Sequence, residues 1–112
     1  MDANRNFLTL TTLDDGTLMI AGDIDMAGGP ILEAAIVTRE AELALAGGGD
    51  VVVDFSDVHF IDSSGLRTLL AAARRAAGRG AGLELRSVGP EIIRLFEITG
   101  TMAQFTIASR RD

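Results

Sequence analysis

The sequence predicts a small α/β domain, a mixed β-sheet with an N-terminal hairpin and helices packed on the sheet. Three observations carry this expectation. Two short apolar runs flank Asp14-Asp15-Gly16, and a D-G pair between such runs is a strong hairpin signal. Beyond the hairpin, short β-branched or alternating segments take turns with longer ones whose apolar residues recur at helical spacing. That alternation is how strands joined by crossover helices read in sequence. Finally, the length of 112 residues suits one domain, expected over 1–112 with short polar tails at both ends.

Phe7, Leu8 and Leu10 alternate with Thr9 and Thr11 and predict a half-buried strand; Thr17 to Ala21 predicts its hairpin partner. Gly22-Asp23-Ile24-Asp25 reads as a polar loop. Gly28-Gly29-Pro30 starts a helix, with proline expected at the first helical position. Ile31, Leu32, Ala35, Ile36 and Leu43 form its apolar side, with Glu33, Arg39, Glu40 and Glu42 left for water, and Gly47-Gly48-Gly49 ends it. Val51-Val52-Val53 has the pattern of a strand covered on both faces. It continues through Asp54, Phe55 and a turn at Ser56-Asp57 to Val58, His59, Phe60 and Ile61, with Phe60 in the core if the strand is central.

After Asp62-Ser63-Ser64-Gly65, the residues Leu66, Leu69, Leu70, Ala73 and Ala77 form a helical apolar stripe. Arg67, Arg74 and Arg75 lie off it and read as a solvated side or, second, a groove for an anionic partner. Gly78-Arg79-Gly80-Ala81-Gly82 precedes a strand and opens no helix, so it reads as a turn and not a phosphate loop. Leu83 and Leu85 alternate with Glu84 and Arg86 in that strand. Gly89-Pro90 opens a short helix carrying Ile92, Ile93, Leu95 and Phe96, Gly100 closes it, and Phe105 to Ala108 is the last strand.

Composition removes several chemistries. The chain has no cysteine, so thiolate metal sites and thiol nucleophiles are out, and its ten basic residues are all arginine. Without lysine there is no P-loop lysine and no Schiff base. One histidine, His59, cannot make a two-histidine metal site. No metal site and no cofactor are expected. A net charge of −6 argues against nucleic acid, whose binding depends on neutralising phosphates. No apolar stretch approaches the ~18 residues of a membrane span, so no membrane association and a cytoplasmic location are expected.

The most informative segment is Phe60-Ile61-Asp62-Ser63-Ser64-Gly65-Leu66. An apolar strand ends, and a carboxylate and two hydroxyls arrive where a helix must begin. Asp and Ser are preferred there because their oxygens accept from unpaired N–H groups of the first turn. The same placement leaves a serine hydroxyl exposed and rigidly held, open to phosphorylation, with helix N–H groups favouring the added charge.

Four segments occur in order: Gly22-Asp23-Ile24-Asp25, Val52-Val53-Asp54-Phe55, the Asp62-Ser63-Ser64-Gly65 corner, and Pro90 through Gly100. Together they resemble the STAS domain family, most closely its stand-alone bacterial anti-sigma factor antagonists, over nearly the whole chain. The resemblance implies a small STAS-type domain without catalytic activity of its own. It implies that Ser63 is the phosphorylation acceptor, modified by an anti-sigma factor that is also a serine kinase and restored by a metal-dependent serine phosphatase. Unphosphorylated antagonist binds that kinase and frees a sigma factor. Asp25 matches the family aspartate near the phosphoserine. Asp25 and Asp62 shape the acceptor site, and Ser64 and Gly65 the start of the helix. Asp23, Ile24, Met26 and Arg67 are the candidates for partner contact. The chain departs from the family at Asp23, where glutamate is commoner, and at Arg67, where many members have a small residue. Arg67 is suited to altering partner choice or salt-bridging a phosphate.

A phosphoserine adds about −1.5 to −2 charges. At an effective dielectric of ~20 and a distance of ~6 Å, one carboxylate repels it by several kcal/mol before salt screening. Losing ~3 kcal/mol of binding weakens a complex more than 100-fold. Three rival functions compete with this reading. A receiver domain phosphorylated on Asp54 would want a lysine, and none exists. A hydrolase built on Ser63, His59 and Asp62 lacks a G-x-S-x-G elbow. The third is a non-phosphorylated STAS scaffold or accessory protein, as in a stressosome or a lipid-transport complex; the intact D-S-S-G corner favours the switch over it.

Overall fold

The computed structural model describes residues 6–108. In chain order these form β1 (Thr9–Thr12), β2 (Leu18–Ile24), α1 (Gly28–Leu45), β3 (Val51–Ile61), α2 (Ser63–Gly78), β4 (Leu83–Arg86), α3 (Pro90–Thr99), a 3₁₀ turn (Met102–Gln104) and β5 (Thr106–Ile107). The sheet order is β1-β2-β3-β4-β5, antiparallel between β1 and β2 and parallel thereafter. The mixed sheet with an N-terminal hairpin is therefore present, with Asp15 Oδ1 accepting from Thr17 N at 2.9 Å in the turn. Hydrogen bonds from the Thr17 backbone and hydroxyl hold the Asp15 carboxyl below the ordinary aspartate range.

Because each parallel crossover steps to the next strand in the same direction, right-handed connections place α1, α2 and α3 on one face. Inward residues of the strands, among them Leu18, Ile20, Val53, Phe55 and Leu85, meet Leu32, Ile36, Leu69, Ile92 and Phe96 of the helices in one core cluster. The opposite face stays open. Val52, expected to be covered like its neighbours, is only half-buried on that face. Continuous β-branched sequence here marks a central strand, not one covered on both faces.

Three local expectations are corrected. Gly22 to Ile24 is not loop but the end of β2, paired with Val58, Phe60 and Ile61. Ser56-Asp57 is not a turn. The β2–β3 register slips between Met19 and Ala21, and Ser56 N and Oγ both donate to Asp54 Oδ1, at 2.8 and 2.6 Å, while the strand runs on. A second slip lies between Gly22 and Asp23. Each inserts one residue into β3 and resets which face the side chains take. Val58 and Ile61 consequently turn inward, and Phe60 turns out, 51% exposed. Phe60 is not core.

Helix α1 starts at Gly28, two residues before Pro30, which occupies the first turn where its missing N–H is no loss. Ile31 and Ala77, assigned to apolar stripes, are exposed; Leu32, Ile36 and Leu43 bury α1, and Leu69, Ala72, Ala73 and Ala76 bury α2. Among the described residues, no helix is long and apolar enough to cross a membrane.

Candidate functional site

Ile24 and Ile61 are register partners, so β2 and β3 end side by side at the carboxyl edge of the sheet. The next residue on each strand is an aspartate. Asp62 is the N-cap of α2: its Oδ1 accepts from Gly65 N at 2.9 Å and its carbonyl from Leu66 N at 2.9 Å. Asp25 does comparable work ahead of α1, with Oδ1 accepting from Ala27 N at 3.1 Å and Gly28 N at 2.7 Å, and its carbonyl from Gly29 N at 2.7 Å. Both carboxylates thus meet helix N-terminal donors, which offsets their charge locally.

The two corners are stitched together. Asp62 N donates to the Ile24 carbonyl at 3.2 Å. Gly65 is buried against the same peptide group, and a Cβ there would collide with the Ile24 carbonyl oxygen and crowd its side chain. Only glycine lets α2 start this close to β2.

On this base Ser63 is the first residue of α2, exposed, and its hydroxyl makes no hydrogen bond among the described residues. Ser64 is half-buried and faces elsewhere. Together with Asp25, Met26, Glu33, Arg67 and Thr68 it lines a groove of about 490 Å³ between the starts of α1 and α2. Thr68 Oγ1 donates back to the Ser64 carbonyl at 3.3 Å.

The partner-contact candidates divide. Met26 is 77% exposed and Arg67 is exposed, both on the groove. Ile24 is fully buried under the α2 start, so it serves the corner from below and cannot be offered to a partner. Its position at the end of a strand, not in a loop, is the reason. Asp23 lies on a different hollow, of about 410 Å³, with Asn6, Phe7 and His59. It exchanges bonds with Asn6: Asp23 N donates to the Asn6 carbonyl at 2.9 Å, and Asn6 N donates to Asp23 Oδ2 at 3.4 Å.

Sequence reasoning missed Glu33 and Thr68 on the groove, and the ion network behind it. Arg75 of α2 forms two 3.1 Å bonds to Glu33 and bonds of 3.2 and 3.1 Å to Glu40, both on α1. Partial burial works against the Arg75 charge, but its bonds to Glu33 and Glu40 outweigh this and raise its pKa. The signal was available: Glu33 and Glu40 stand seven apart, two helical turns on one face of α1.

The chain from residue 9 to 103 matches the family model described as "Mlab, STAS domain". A similar protein is the anti-sigma-B factor antagonist of Bacillus subtilis strain 168, 28% identical over 99 residues, covering 88% of this chain and 86% of the relative. The Staphylococcus epidermidis protein of the same name is 31% identical over 97 residues, covering 87% and 86%. Among solved structures, an anti-sigma factor antagonist from Mycobacterium paratuberculosis superposes with a TM-score of 0.74 at 31% identity, covering 89% of this chain and 84% of that one. With a family match over most of its length and its own D-S-S-G corner built as described, the chain belongs to the STAS domain family.

Proposed function

We propose that this chain is an anti-sigma factor antagonist switched at Ser63. With a free hydroxyl it binds an anti-sigma factor that is also a serine kinase, which frees a sigma factor. Phosphorylation ends the binding, and a metal-dependent serine phosphatase restores it. The chain, a single domain working in the cytoplasm, is substrate and ligand, not enzyme. In the modifying step Ser63 Oγ bonds to the γ-phosphorus of ATP, the bond from that phosphorus to the ADP oxygen breaks, and the hydroxyl proton leaves to the kinase.

One observation carries the reading: Ser63 is exposed, and its hydroxyl is unbonded among the described residues, on a corner whose backbone is fixed from beneath by Asp62, Gly65 and Ile24. The hydroxyl is presented, and the scaffold under it has no slack. Relatives named as anti-sigma-B factor antagonists support the same reading. New charge on Ser63 falls on the face a partner must cover, and a loss of about 3 kcal/mol is already over 100-fold in affinity.

The test is incubation with a serine-kinase anti-sigma factor of the same genome and ATP, followed by phosphopeptide mapping and binding measurements. Modification confined to Ser63, with Ser63→Asp binding at least 100-fold weaker than the unmodified chain, is expected. An unmodified Ser63 together with undiminished binding by Ser63→Asp would overturn the switch and leave the scaffold or accessory role in a stressosome or lipid-transport complex.

A further inference from the structure

Arg67 is one helical turn beyond Ser63, at the i+4 position on α2, where side chains share a face with Cβ atoms about 5–6 Å apart. It is exposed, and it makes no ion pair or hydrogen bond with any described residue. The charged groups around it are otherwise occupied. Glu33 of α1, on the same groove, is held by Arg75. Asp62 caps α2, and Asp25 accepts from Ala27 N and Gly28 N at the α1 start. Arg67 is therefore a guanidinium uncommitted among the described residues, on the lining of the α1–α2 groove and one helical turn from the acceptor residue.

We infer that Arg67 is the intramolecular receiver of the phosphate on Ser63, an inference that rests on the switch reading for its biological use. Arginine presents a planar fork of donors that meets a phosphate through two parallel hydrogen bonds. An anionic residue four positions before a cationic one is the favoured order along a helix. The modified side chain then lies back along α2, over the Ser64 end of the groove that Arg67 itself lines. The phosphorylated corner carries a paired phosphate, not a free one, despite Asp25 and Asp62 nearby. In this reading the off state is held by the chain's own arginine.

The experiment installs phosphoserine at position 63 during translation, without any kinase, and follows the second ionisation of the phosphate by ³¹P NMR. An unmodified Arg67 is expected to lower that titration by about 0.3 pH unit or more relative to Arg67→Gln, the size of a favourable i,i+4 ion pair. Arg67→Lys keeps part of the effect. Arg74→Gln, which removes the same charge from an exposed site farther along α2, leaves the titration where it was. Circular dichroism and the melting temperature of each variant confirm an intact fold. The same titration in the parent chain and Arg67→Gln would overturn the inference, as would an equal shift from Arg74→Gln. Because no kinase is involved, failure here leaves Ser63 as acceptor untouched, and failure of a kinase to modify Ser63 leaves the titration interpretable.

Discussion

Gly65 is the tightest point of the acceptor corner, since any side chain there meets the Ile24 carbonyl and its Cγ2. Gly65→Ala must push α2 away from the end of β2. It is expected to cost about 1–3 kcal/mol, the usual range for overpacking a filled site, measured as a shift in the denaturant midpoint. Ser63→Ala, two residues earlier, removes an exposed hydroxyl with no hydrogen bond among the described residues and stays within about 0.5 kcal/mol. A neutral Gly65→Ala would show that the close approach does not hold the corner. Sequence alone made Asp62 and Gly65 legible, because a cap and a helix start have a residue vocabulary. It could not separate Ser63 from Ser64. Both sit beside a cap, and only the rotation of α2 against α1 decides which one is exposed and which one lines the groove. Nor could it place Ile24, whose burial depends on α2 lying over the end of β2.

The pairing of α1 with α2 sets the groove, and Arg75 is its main polar tie. The side chains are partly exposed, at 36% for Arg75 against 39% for Glu33 and 15% for Glu40, so solvent screens much of the attraction. A double-mutant cycle between Arg75→Met and Glu33→Gln is expected to give a coupling of about 0.5–1 kcal/mol that shrinks in 1 M salt. A coupling indifferent to salt would mean that packing, not charge, joins the helices. At this scale the elements were read well wherever period and breakers agreed, as in α2, β4 and α3. The misses cluster in β3. Ser56 and Asp57 have turn chemistry, and Ser56 does bond locally to the Asp54 carboxylate, yet the strand continues because β2 supplies its ladder. A tertiary partner overrides a local preference, and with it Phe60 turns out of the core.

The fold as a whole predicts where phosphorylation registers. Ser63 stands outside the core cluster, and the hydrogen bonds of Asp62, Gly65 and Leu66 beside it do not involve its hydroxyl. Phosphorylated and unphosphorylated chains should differ by under about 1 kcal/mol in stability, a change of a few degrees in melting temperature for a domain of this size. Their affinities for an anti-sigma factor should differ by 100-fold or more. Comparable losses in both would show that the modification acts by unfolding the corner. The global architecture was the most legible level, because alternating strand and helix signals leave few topologies once right-handed crossovers are required. What sequence did not convey is that all three helices share one face, which follows from a strand order that never reverses.

That unreversed order also bears on synthesis. Every residue that builds the acceptor corner lies between Leu18 and Gly78, and β4, α3 and β5 add nothing to it but support. The strand ends, Asp25, Asp62, Ser63 and Arg67 are therefore synthesised before any of the last three elements. The part made last supplies Phe96 and Phe105, whose ring centroids lie 4.8 Å apart and complete the core on which that corner rests.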